Sequence, residues 1–469
     1  MHKIPIARSN KTISLLSSML NRHGIITGAT GSGKTITLQV MAERFSQIGV
    51  PVVVTDVKGD VSGLASAGSA TPKIIERAKT MGMKKLTFQR SPVRFWDMWG
   101  ETGHSMRATV NSMGPLLLSR VLDLTQVQAG TLNQVFKIAA DRDWPVIDTR
   151  DLKAVIQYVL EHARDELERD YGRLAPASLG AIQRGIVNLE MEGADTVFGE
   201  PALLFTDFMS TDESGRGHIN IISADTLMKY PRIYAAMLLW ILTDIYEKLP
   251  EAGDRDKPKL VLFFDEAHLL FKDMPAVVRE RIEQVIRLIR SKAVGVFFIT
   301  QNPSDIPDTV LSQLGNRVQH ALRAYTPKDQ KAVKVAAQTL RPNPRFSAEK
   351  VITELGVGEA LVSFLDKKGT PEIVEKALVV PPESRIGPVS DEYRKYIIEN
   401  SGLKENYDNV IDRITASDII SDIRQEEDND LYSNQIPPEL KRNSDKHPAI
   451  VDTVFKHIGR SLSKKLKLV

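Results

Sequence analysis

The sequence contains no cysteine among its 469 residues, which excludes disulfide bonds, zinc–thiolate sites and a cysteine nucleophile. Aromatic residues make up only 6% of the chain, and neither charge sign dominates, since 62 Lys and Arg stand against 59 Asp and Glu. A net charge of +3 is too small for a basic coat whose main task is to bind nucleic acid. Any contact with DNA must therefore come from local patches.

The sequence also lacks a long uninterrupted hydrophobic run. Its most apolar helical stretch, residues 234–246, contains Asp244 and is shorter than the roughly 20 residues that span a bilayer. The first residues lack the apolar segment of a signal peptide. These absences predict a cytoplasmic protein with no transmembrane segment.

A nucleotide-binding motif of the form G-x-x-x-x-G-K-[ST] lies between an apolar run and a helical pattern. It comprises Gly28, Ala29, Thr30, Gly31, Ser32, Gly33, Lys34 and Thr35. Glycines allow a tight turn that aims several backbone N–H groups at one anion, and the helix that follows adds the positive end of its dipole. We predict that this loop binds ATP, with Lys34 at the β and γ phosphates and the Thr35 hydroxyl on Mg²⁺.

Two adjacent acids, Asp265 and Glu266, follow a continuous apolar run at residues 260–264. This pattern predicts a buried central strand with carboxylates where it ends. Asp265 fits a carboxylate that holds Mg²⁺, and Glu266 fits one that polarises the attacking water. A protein that only binds a nucleotide does not need the second acid, so the pair indicates hydrolysis. The alternative is two acids stabilised by the dipole of the helix that follows.

Three further features each allow two interpretations. Gln301 closes the predicted strand 294–300 and is either a contact to the γ-phosphate or its water, or an ordinary turn residue. One arginine of the helix 275–291 is either an arginine finger for a neighbouring subunit or part of a solvated face. The polar run 56–60 is either a ligand-binding turn at the carboxyl end of a strand or a plain turn.

The order of these patterns predicts an α/β fold, because strand, helix and strand in succession imply a right-handed parallel crossover. A mainly helical block interrupts the sheet pattern, which resumes at residues 218–222. We predict four parts: a first core segment at 1–103, a helical insertion at 104–215, a second core segment at 216–385 and a tail at 386–469. The tail is charged and is expected to be partly disordered, and it finishes in a basic amphipathic end at 451–469.

With these motifs in this order, the chain resembles the HerA/FtsK class of P-loop ATPases, and within it the bacterial YjgR-like family. The resemblance covers roughly residues 1–390 and includes the stretches 316–323 and 326–330. It implies a RecA-like core with a mainly parallel sheet between helices and an additional strand between those that carry Lys34 and Asp265. It also implies a ring, usually of six subunits, with ATP at each interface.

The resemblance also implies roles for individual residues. Lys34 and Thr35 match the residues that bind phosphate and Mg²⁺, and Asp265 and Glu266 match the roles given above. Gln301 matches the γ-phosphate sensor. Arg290 matches the arginine finger. HerA relatives couple hydrolysis to movement on double-stranded DNA, and VirB4-like relatives power the export of protein or DNA.

Three functional hypotheses follow. The first is an oligomeric ATPase motor that moves along DNA. The second is a nucleotide-gated binding or scaffold protein at a membrane surface, anchored by residues 451–469, although that stretch also fits a DNA contact or a solvated tail. The third takes residues 265–268 as the DEAH box of a two-lobed helicase, and it is disfavoured because residues 313–317 follow too soon to form a second lobe.

Overall fold

The structure is a computed structural model that describes residues 2–162, 167–224, 230–253, 255–271 and 276–435. The predicted basic end at 451–469 lies outside these residues. The strands are β1 Lys3–Arg8, β2 Thr12–Leu16, β3 Gly24–Thr27, β4 Val52–Asp56, β5 Val93–Asp97, β6 His104–Ser105, β7 Ile219–Ser223, β8 Leu260–Phe264, β9 Val294–Thr300, β10 Asn316–Gln319, β11 Glu359–Ser363 and β12 Glu375–Val379.

Helices connect these strands and cover both faces of the sheet. They are α1 Lys34–Gln47, α2 Pro72–Thr80, α3 Val110–Val121, α4 Gln126–Asp141, α5 Thr149–His162, α6 Glu168–Tyr171, α7 Pro176–Met191, α8 Ala194–Val197, α9 Pro231–Lys248, α10 His268–Phe271, α11 Ala276–Ile289, α12 Asp308–Leu311, α13 Pro327–Gln338, α14 Ala348–Glu354, α15 Asp391–Glu399, α16 Lys404–Tyr407 and α17 Ala416–Gln435.

A single sheet of 12 strands, counted over the described residues, runs in the order β2-β1-β12-β11-β10-β3-β9-β8-β4-β7-β5-β6. The eight strands from β10 to β6 are mutually parallel, whereas β11, β12, β1 and β2 extend the sheet by antiparallel pairing. Strand β9 lies between β3 and β8, which is the additional strand that the resemblance implied. The predicted α/β fold with a mainly parallel sheet is confirmed.

The central strands are apolar throughout because both faces of the sheet are covered by helices. Along β8, Leu262 and Phe264 belong to the core on one face, and Val261 and Phe263 belong to the core on the other. Successive side chains of a strand point to opposite faces, so a strand between two layers must be apolar at every position. On one face, Phe45 of α1 stacks on Phe263 with ring centroids 5.8 Å apart, and this contact fixes α1 against the sheet.

The block between β6 and β7 contains the helices α3 to α8. Helix α3 is kinked, because Gly114 has a left-handed backbone with φ of 70° and is followed by Pro115. Its buried residues, together with those of α4, α5 and α7, extend the core that also covers one face of the sheet. The long helix α9 belongs to the same core, as its apolar sequence predicts.

The highly charged stretch 424–430, which we expected in a partly disordered tail, is instead helical and lies within α17. The apolar residues Ala416 and Ile420 are both fully buried and hold the first part of α17 against the helical block. Arg424 Nε donates to Glu161 Oε2 of α5 over 3.1 Å. The first part of α17 thus has a short amphipathic pattern that is hard to recognise beside the acidic run. The apolar residues of this pattern pack α17 on α5.

A buried histidine joins three elements beneath the sheet. His23 precedes β3 and is only 2% exposed. Its Nδ1 accepts a hydrogen bond from the Val296 N–H of β9 over 3.0 Å, so its Nε2 carries the proton and donates to the Ile286 carbonyl of α11 over 2.9 Å. Burial lowers the pKa of His23 to about 4, because a protonated ring is poorly solvated there. The fold therefore requires the neutral ring.

We expect acid to weaken the fold through His23. The unfolded state protonates this ring below pH 6.5, whereas the folded state resists protonation until about pH 4, so stability is lost as the pH falls through this window. Replacing His23 with Gln removes this contribution to the pH dependence of stability and leaves the other titrating groups in place. From pH 7.5 to pH 4, the unfolding free energy of the wild type should fall by roughly 3 kcal/mol relative to His23→Gln.

Urea unfolding of both proteins at several pH values measures this difference. An equal pH dependence in wild type and variant would show that His23 does not titrate differently in the folded and unfolded states.

Candidate active site

The predicted site residues meet at one edge of the sheet. Parallel strands share the edge at which their carboxyl ends lie, and the motif residues follow the ends of β3, β8 and β9. Glu266 and Asp265 act electrostatically on Lys34, and Gln301 Nε2 lies 3.5 Å from Glu266 Oε1. The structure thus brings together Lys34, Asp265, Glu266 and Gln301 from three separate segments.

The phosphate loop has a backbone that side chains would obstruct. Gly28, Gly31 and Gly33 have φ values of 152°, 74° and 116°. A Cβ added at Gly28 would lie 2.6 Å from the Cβ of His320 and 2.7 Å from Ser32 Oγ. The glycines at these positions let the chain curl around an anion and let the loop approach the neighbouring strand closely.

Lys34 folds back over this loop. Its Nζ donates to the carbonyl oxygens of Gly28 and Ala29 over 2.7 and 3.1 Å. Burial lowers the pKa of Lys34, whereas Glu266 acts to raise it. The ammonium group therefore already lies in the hollow of the loop, where the N–H groups converge and a phosphate would bind.

Residues after β10 hold the loop from the side. The Ala29 N–H donates to the Ala321 carbonyl over 2.7 Å. His320 Nδ1 donates to the Glu359 carbonyl over 2.9 Å, and its Nε2 accepts from Thr37 Oγ1 over 2.8 Å. Burial lowers the pKa of His320 to about 4, so the ring stays neutral in this arrangement. Sequence analysis placed His320 in a family motif but gave it no role.

Asp265 and Glu266 occupy the turn after β8, and both are largely buried. The Asp265 N–H donates to Thr55 Oγ1 over 3.0 Å, and the Glu266 N–H donates to Asp265 Oδ1 over 2.9 Å. Glu266 has a positive φ of 47°, an uncommon value for a residue with a side chain. The chain leaves the direction of the strand at this residue, and the charge of Glu266 acts on Lys34 of the phosphate loop.

A lysine that sequence analysis did not select pairs with the second acid. Lys58 Nζ lies 2.8 Å from Glu266 Oε1. Burial acts to raise the pKa of Glu266, but the hydrogen bond and charge of Lys58 outweigh it and lower that pKa. The other oxygen, Oε2, makes no hydrogen bond to any described residue, although His268 Nδ1 lies 3.3 Å away. Glu266 is therefore a charged carboxylate with one oxygen engaged.

The polar run 56–60 forms a turn at the carboxyl end of β4, and its role in binding a ligand stays a prediction. Asp56 accepts hydrogen bonds from the Gly59 and Val61 N–H groups over 2.9 and 3.1 Å, so it shapes its own turn. Lys58 lies within this turn, and the shape of the turn brings its side chain to Glu266. Detecting this partnership requires knowing that β4 lies beside β8, which the pattern of the run itself does not contain.

The predicted arginine finger does not join these residues. Arg290 lies in a short 3₁₀ turn, Arg290–Lys292, just before β9, whereas Gln301 follows the end of the same strand. The seven residues of β9 separate the two ends by roughly 20 Å at a rise of about 3.3 Å per residue. Arg290 thus belongs to the edge opposite its own phosphate loop.

The described residues fit Mg²⁺ and a nucleotide. Burial, followed by the charge of Glu266, raises the pKa of Asp265 to about 7, which is the situation that a nearby cation relieves. The glycine hollow and Lys34 fit phosphates, and carboxylate and hydroxyl oxygens are the ligands that Mg²⁺ prefers. Asp265 and Thr35 are the residues that can hold the metal, and residues 28–35 are those that can hold the phosphates.

Comparison with known proteins agrees with this geometry. The family model described as Helicase HerA-like C-terminal matches residues 2–466. The chain belongs to this HerA-like family. It is a P-loop ATPase, as the motifs and the resemblance predicted.

Curated relatives of this HerA-like chain share little sequence identity with it. The DNA double-strand break repair helicase HerA of Sulfolobus acidocaldarius is 22% identical over 376 residues, which are 76% of this chain and 64% of that protein. The protein of the same name from Saccharolobus solfataricus is 22% identical over 368 residues, covering 75% and 64%. The chain therefore spans a little under two thirds of the length of these relatives.

Solved structures share the fold of the HerA-like chain. The plasmid coupling protein TrwB in complex with the ATP analogue ADPNP has a TM-score of 0.53 at 14% identity, covering 79% of this chain and 88% of that one. VirB4 of Thermoanaerobacter pseudethanolicus has a TM-score of 0.50 at 15% identity, and the match covers 84% of this chain and 97% of that one. At this identity the likeness concerns the arrangement of strands and helices, and the RecA-like core that the resemblance implied is confirmed.

Among the described residues, no helix has the length and apolar character needed to cross a bilayer.

Two of the three loop glycines, Gly28 and Gly31, allow a matched test of its geometry. Gly28→Ala introduces a Cβ that collides with His320, whereas the Cβ of Gly31→Ala has no described atom within 4 Å. The Gly31 variant should lose about 1 kcal/mol of stability from its left-handed backbone alone, and the Gly28 variant at least about 2 kcal/mol more. Denaturant unfolding without nucleotide measures both. Equal losses would mean that the loop is not held against β10 as described.

Proposed function

We propose that this chain hydrolyses ATP with Mg²⁺ in a ring of subunits, usually six, and couples hydrolysis to movement along double-stranded DNA in the cytoplasm. The observation that carries the proposal is the meeting of the phosphate loop with two buried acids and a glutamine at one sheet edge. Segments 1–103 and 216–385 would form the motor core, with 104–215 as an insertion and 386–469 as a tail.

Each side chain has a defined role in this reaction. Lys34 and the loop N–H groups bind the phosphates, and Thr35 and Asp265 hold the metal. Bound Mg²⁺ neutralises the negative charge that builds up on the phosphates. Glu266 orients the attacking water and accepts its proton at Oε2 or Oε1. Gln301, beside Glu266, contacts the water or the γ-phosphate.

The ion pair between Lys58 and Glu266 sets a condition on this chemistry. A carboxylate oxygen that already accepts a charge-assisted hydrogen bond is a weaker base, because its negative charge is partly neutralised. Lys58 is 43% exposed in its side chain, so it can move towards solvent or towards a phosphate. Turnover would then begin when Lys58 releases Glu266 Oε1.

Arg290 supports a ring, because it lies at the opposite edge from its own phosphate loop. An arginine there can reach a nucleotide only in another subunit. A cavity of about 420 Å³ opens beside Ala29 and Gln301, and it leaves room for a side chain from a neighbour. A head-to-tail interface of this kind closes into a ring when the rotation between subunits permits it.

A local basic patch supports DNA as the partner. Helix α13 begins near the same cavity and carries the exposed lysines Lys328, Lys331 and Lys334. None of the three forms an ion pair with a described residue, so their charge is available to DNA phosphates. The curated relatives named DNA double-strand break repair helicase add weight to this partner.

The purified protein should hydrolyse ATP faster when double-stranded DNA is added, by about tenfold or more at low salt. The stimulation should fade between 50 and 200 mM salt, since each phosphate contact releases counterions. Steady-state turnover with and without DNA at these two salt concentrations measures both effects. Glu266→Gln is the blank, because it keeps the shape of the side chain but cannot accept a proton.

Equal turnover with and without DNA would overturn the DNA motor. The search would then turn to a protein or membrane-surface partner for the same ATPase.

Arg290→Ala should lower turnover by at least about a hundredfold and leave ATP binding unchanged, because the arginine completes a neighbour's site. Mixing it with Lys34→Ala should restore activity, since up to about a quarter of the interfaces in a random ring pair an intact Lys34 with an intact Arg290. Turnover of each variant alone and of the mixture measures this effect.

Arg287→Ala is the matched control, because Arg287 is an exposed arginine of the preceding helix. It should keep wild-type turnover. A mixture no more active than its two components would argue against an arginine shared between subunits.

A further inference from the structure

Helix α9 is apolar along most of its length but carries a polar stripe in its second half. The stripe consists of Trp240, Thr243, Asp244 and Glu247, whose spacing of three and four residues places them on one face of the helix. This face lines a cavity of about 220 Å³, whose other walls come from α3 and from Arg281 of α11. The cavity lies outside the candidate active site, where the helical block meets two helices that connect central strands.

Four polar atoms in the walls of this cavity form no hydrogen bond with any described residue. They are Trp240 Nε1, Thr243 Oγ1, Asp244 Oδ2 and Arg281 Nε, and each is buried from solvent. Trp240 as a whole residue is only 3% exposed. A buried donor or acceptor without a partner is unfavourable, because it has lost its bonds to water and gained none in return. Four such atoms around one cavity favour a molecule that enters it and supplies their partners.

The charges around the cavity are already balanced within the protein. Lys248 Nζ lies 2.7 Å from Asp244 Oδ1, and Arg281 Nη2 lies 3.4 Å from Glu247 Oε1. A charged guest would meet a charge of its own sign here, whichever sign it carried. The cavity therefore suits a neutral molecule.

The unpaired atoms define which hydrogen-bonding groups the guest must carry. The indole N–H of Trp240 and the Nε–H of Arg281 can only donate, whereas the Asp244 carboxylate can only accept. The guest therefore needs both an acceptor and a donor. A carboxamide or a lactam meets this requirement, because each joins a C=O to an N–H on neighbouring atoms that can reach different walls.

The remaining walls suit one flat ring. Met113, Leu116 and Leu117 of α3 are apolar, and Leu116 is 50% exposed, so a ring in the cavity can cover it. Helix α3 bends at Gly114, and a Cβ added there would meet no described atom within 4 Å, so space is open at this wall. The volume of 220 Å³ equals that of about seven water molecules and is smaller than the roughly 300–1,000 Å³ of sites for larger ligands. It therefore fits a single ring better than a nucleotide.

We propose that this cavity binds a neutral, flat heteroaromatic amide, the chemical class to which nicotinamide and uracil belong. The carbonyl of the ligand accepts from Trp240 and Arg281, and its N–H donates to Asp244. Arg281 lies on α11, the helix that leads to Arg290, so the ligand connects α3 of the helical block to that helix. The site is separate from the phosphate loop and goes beyond the proposed function.

The first test compares ligands that differ only in the N–H. Ligand-observed NMR measures binding to the full chain, with ADPNP and Mg²⁺ present to occupy the phosphate loop. Nicotinamide or uracil should bind with a Kd below about 1 mM. The analogue of the tighter probe without an N–H, either 3-acetylpyridine or 1,3-dimethyluracil, should bind at least ~10-fold more weakly, because Asp244 then has no donor.

A Kd above about 1 mM for both probes would overturn the proposal and leave water as the occupant of the cavity. This result does not depend on ATP turnover or on DNA, so it is distinct from a failure of the motor.

The second test changes the acceptor. In Asp244→Asn, Lys248 holds the amide oxygen and the new NH₂ group faces the cavity, so the N–H of the ligand loses its partner. The tighter probe and its analogue should then bind with affinities within about twofold of each other. A ratio that stays near its wild-type value would show that the N–H does not bond to Asp244.

A matched pair of threonines tests whether the unpaired hydroxyl serves a ligand. Thr243→Val keeps the shape of the side chain and removes a hydroxyl without a described partner, so the urea midpoint should not fall, whereas the affinity for the tighter probe should fall at least ~3-fold. Thr149 is the control, because it is buried, lies outside the cavity and donates from Oγ1 to Glu190 Oε1 over 2.6 Å. Thr149→Val should lower the urea midpoint and leave the affinity unchanged.

A lower urea midpoint with unchanged affinity in Thr243→Val would contradict the proposal, because the hydroxyl would then serve the fold and not a ligand.

Discussion

The whole site depends on hydrogen bonds that hold a left-handed phosphate loop from outside. Its glycine backbone has no regular structure of its own, so its shape is set by the carbonyl of Ala321 on one side and the N–H of Gly358 on the other. Both partners come from the segments after β10 and before β11, far along the chain. A loop fixed in this way has its N–H groups oriented before any ligand arrives, which reduces the cost of ordering on binding.

Charge balance is the second constraint. Two carboxylates and two ammonium groups, from Asp265, Glu266, Lys34 and Lys58, lie close together at the same edge and act on one another electrostatically. Removing one partner from such a cluster leaves the others partly buried and uncompensated. An arriving polyphosphate and metal bring charges of both signs, so they can exchange partners within the cluster without leaving a bare charge.

Much of the site could be predicted from sequence, because parallel strands place their carboxyl ends together and the motif residues follow such strands. This reasoning located Lys34, Asp265, Glu266 and Gln301, and the structure brings them to one edge. It did not find Lys58 as a partner of Glu266, because that pairing depends on β4 lying beside β8. The acidic composition of α17 suggested disorder, whereas a few apolar positions spaced for a helix determined its structure. The overall composition of a segment does not show where its few apolar residues lie, whereas the packing of a helix depends on those positions.

The pairing of β1 with β12 has a consequence for synthesis of the chain. Ala7 of β1 lies opposite Val379 of β12. Strand β1 is therefore made early in synthesis but pairs with a strand that is made late. Until β12 emerges, the hairpin of β1 and β2, which carries the apolar residues Ile4 and Ile6, has no other strand of the sheet to join. Contacts between such distant positions form slowly, and an unpaired strand edge invites pairing with other chains. Until residue 379 is made, the edge of β1 that later pairs with β12 is thus open to pairing with other chains.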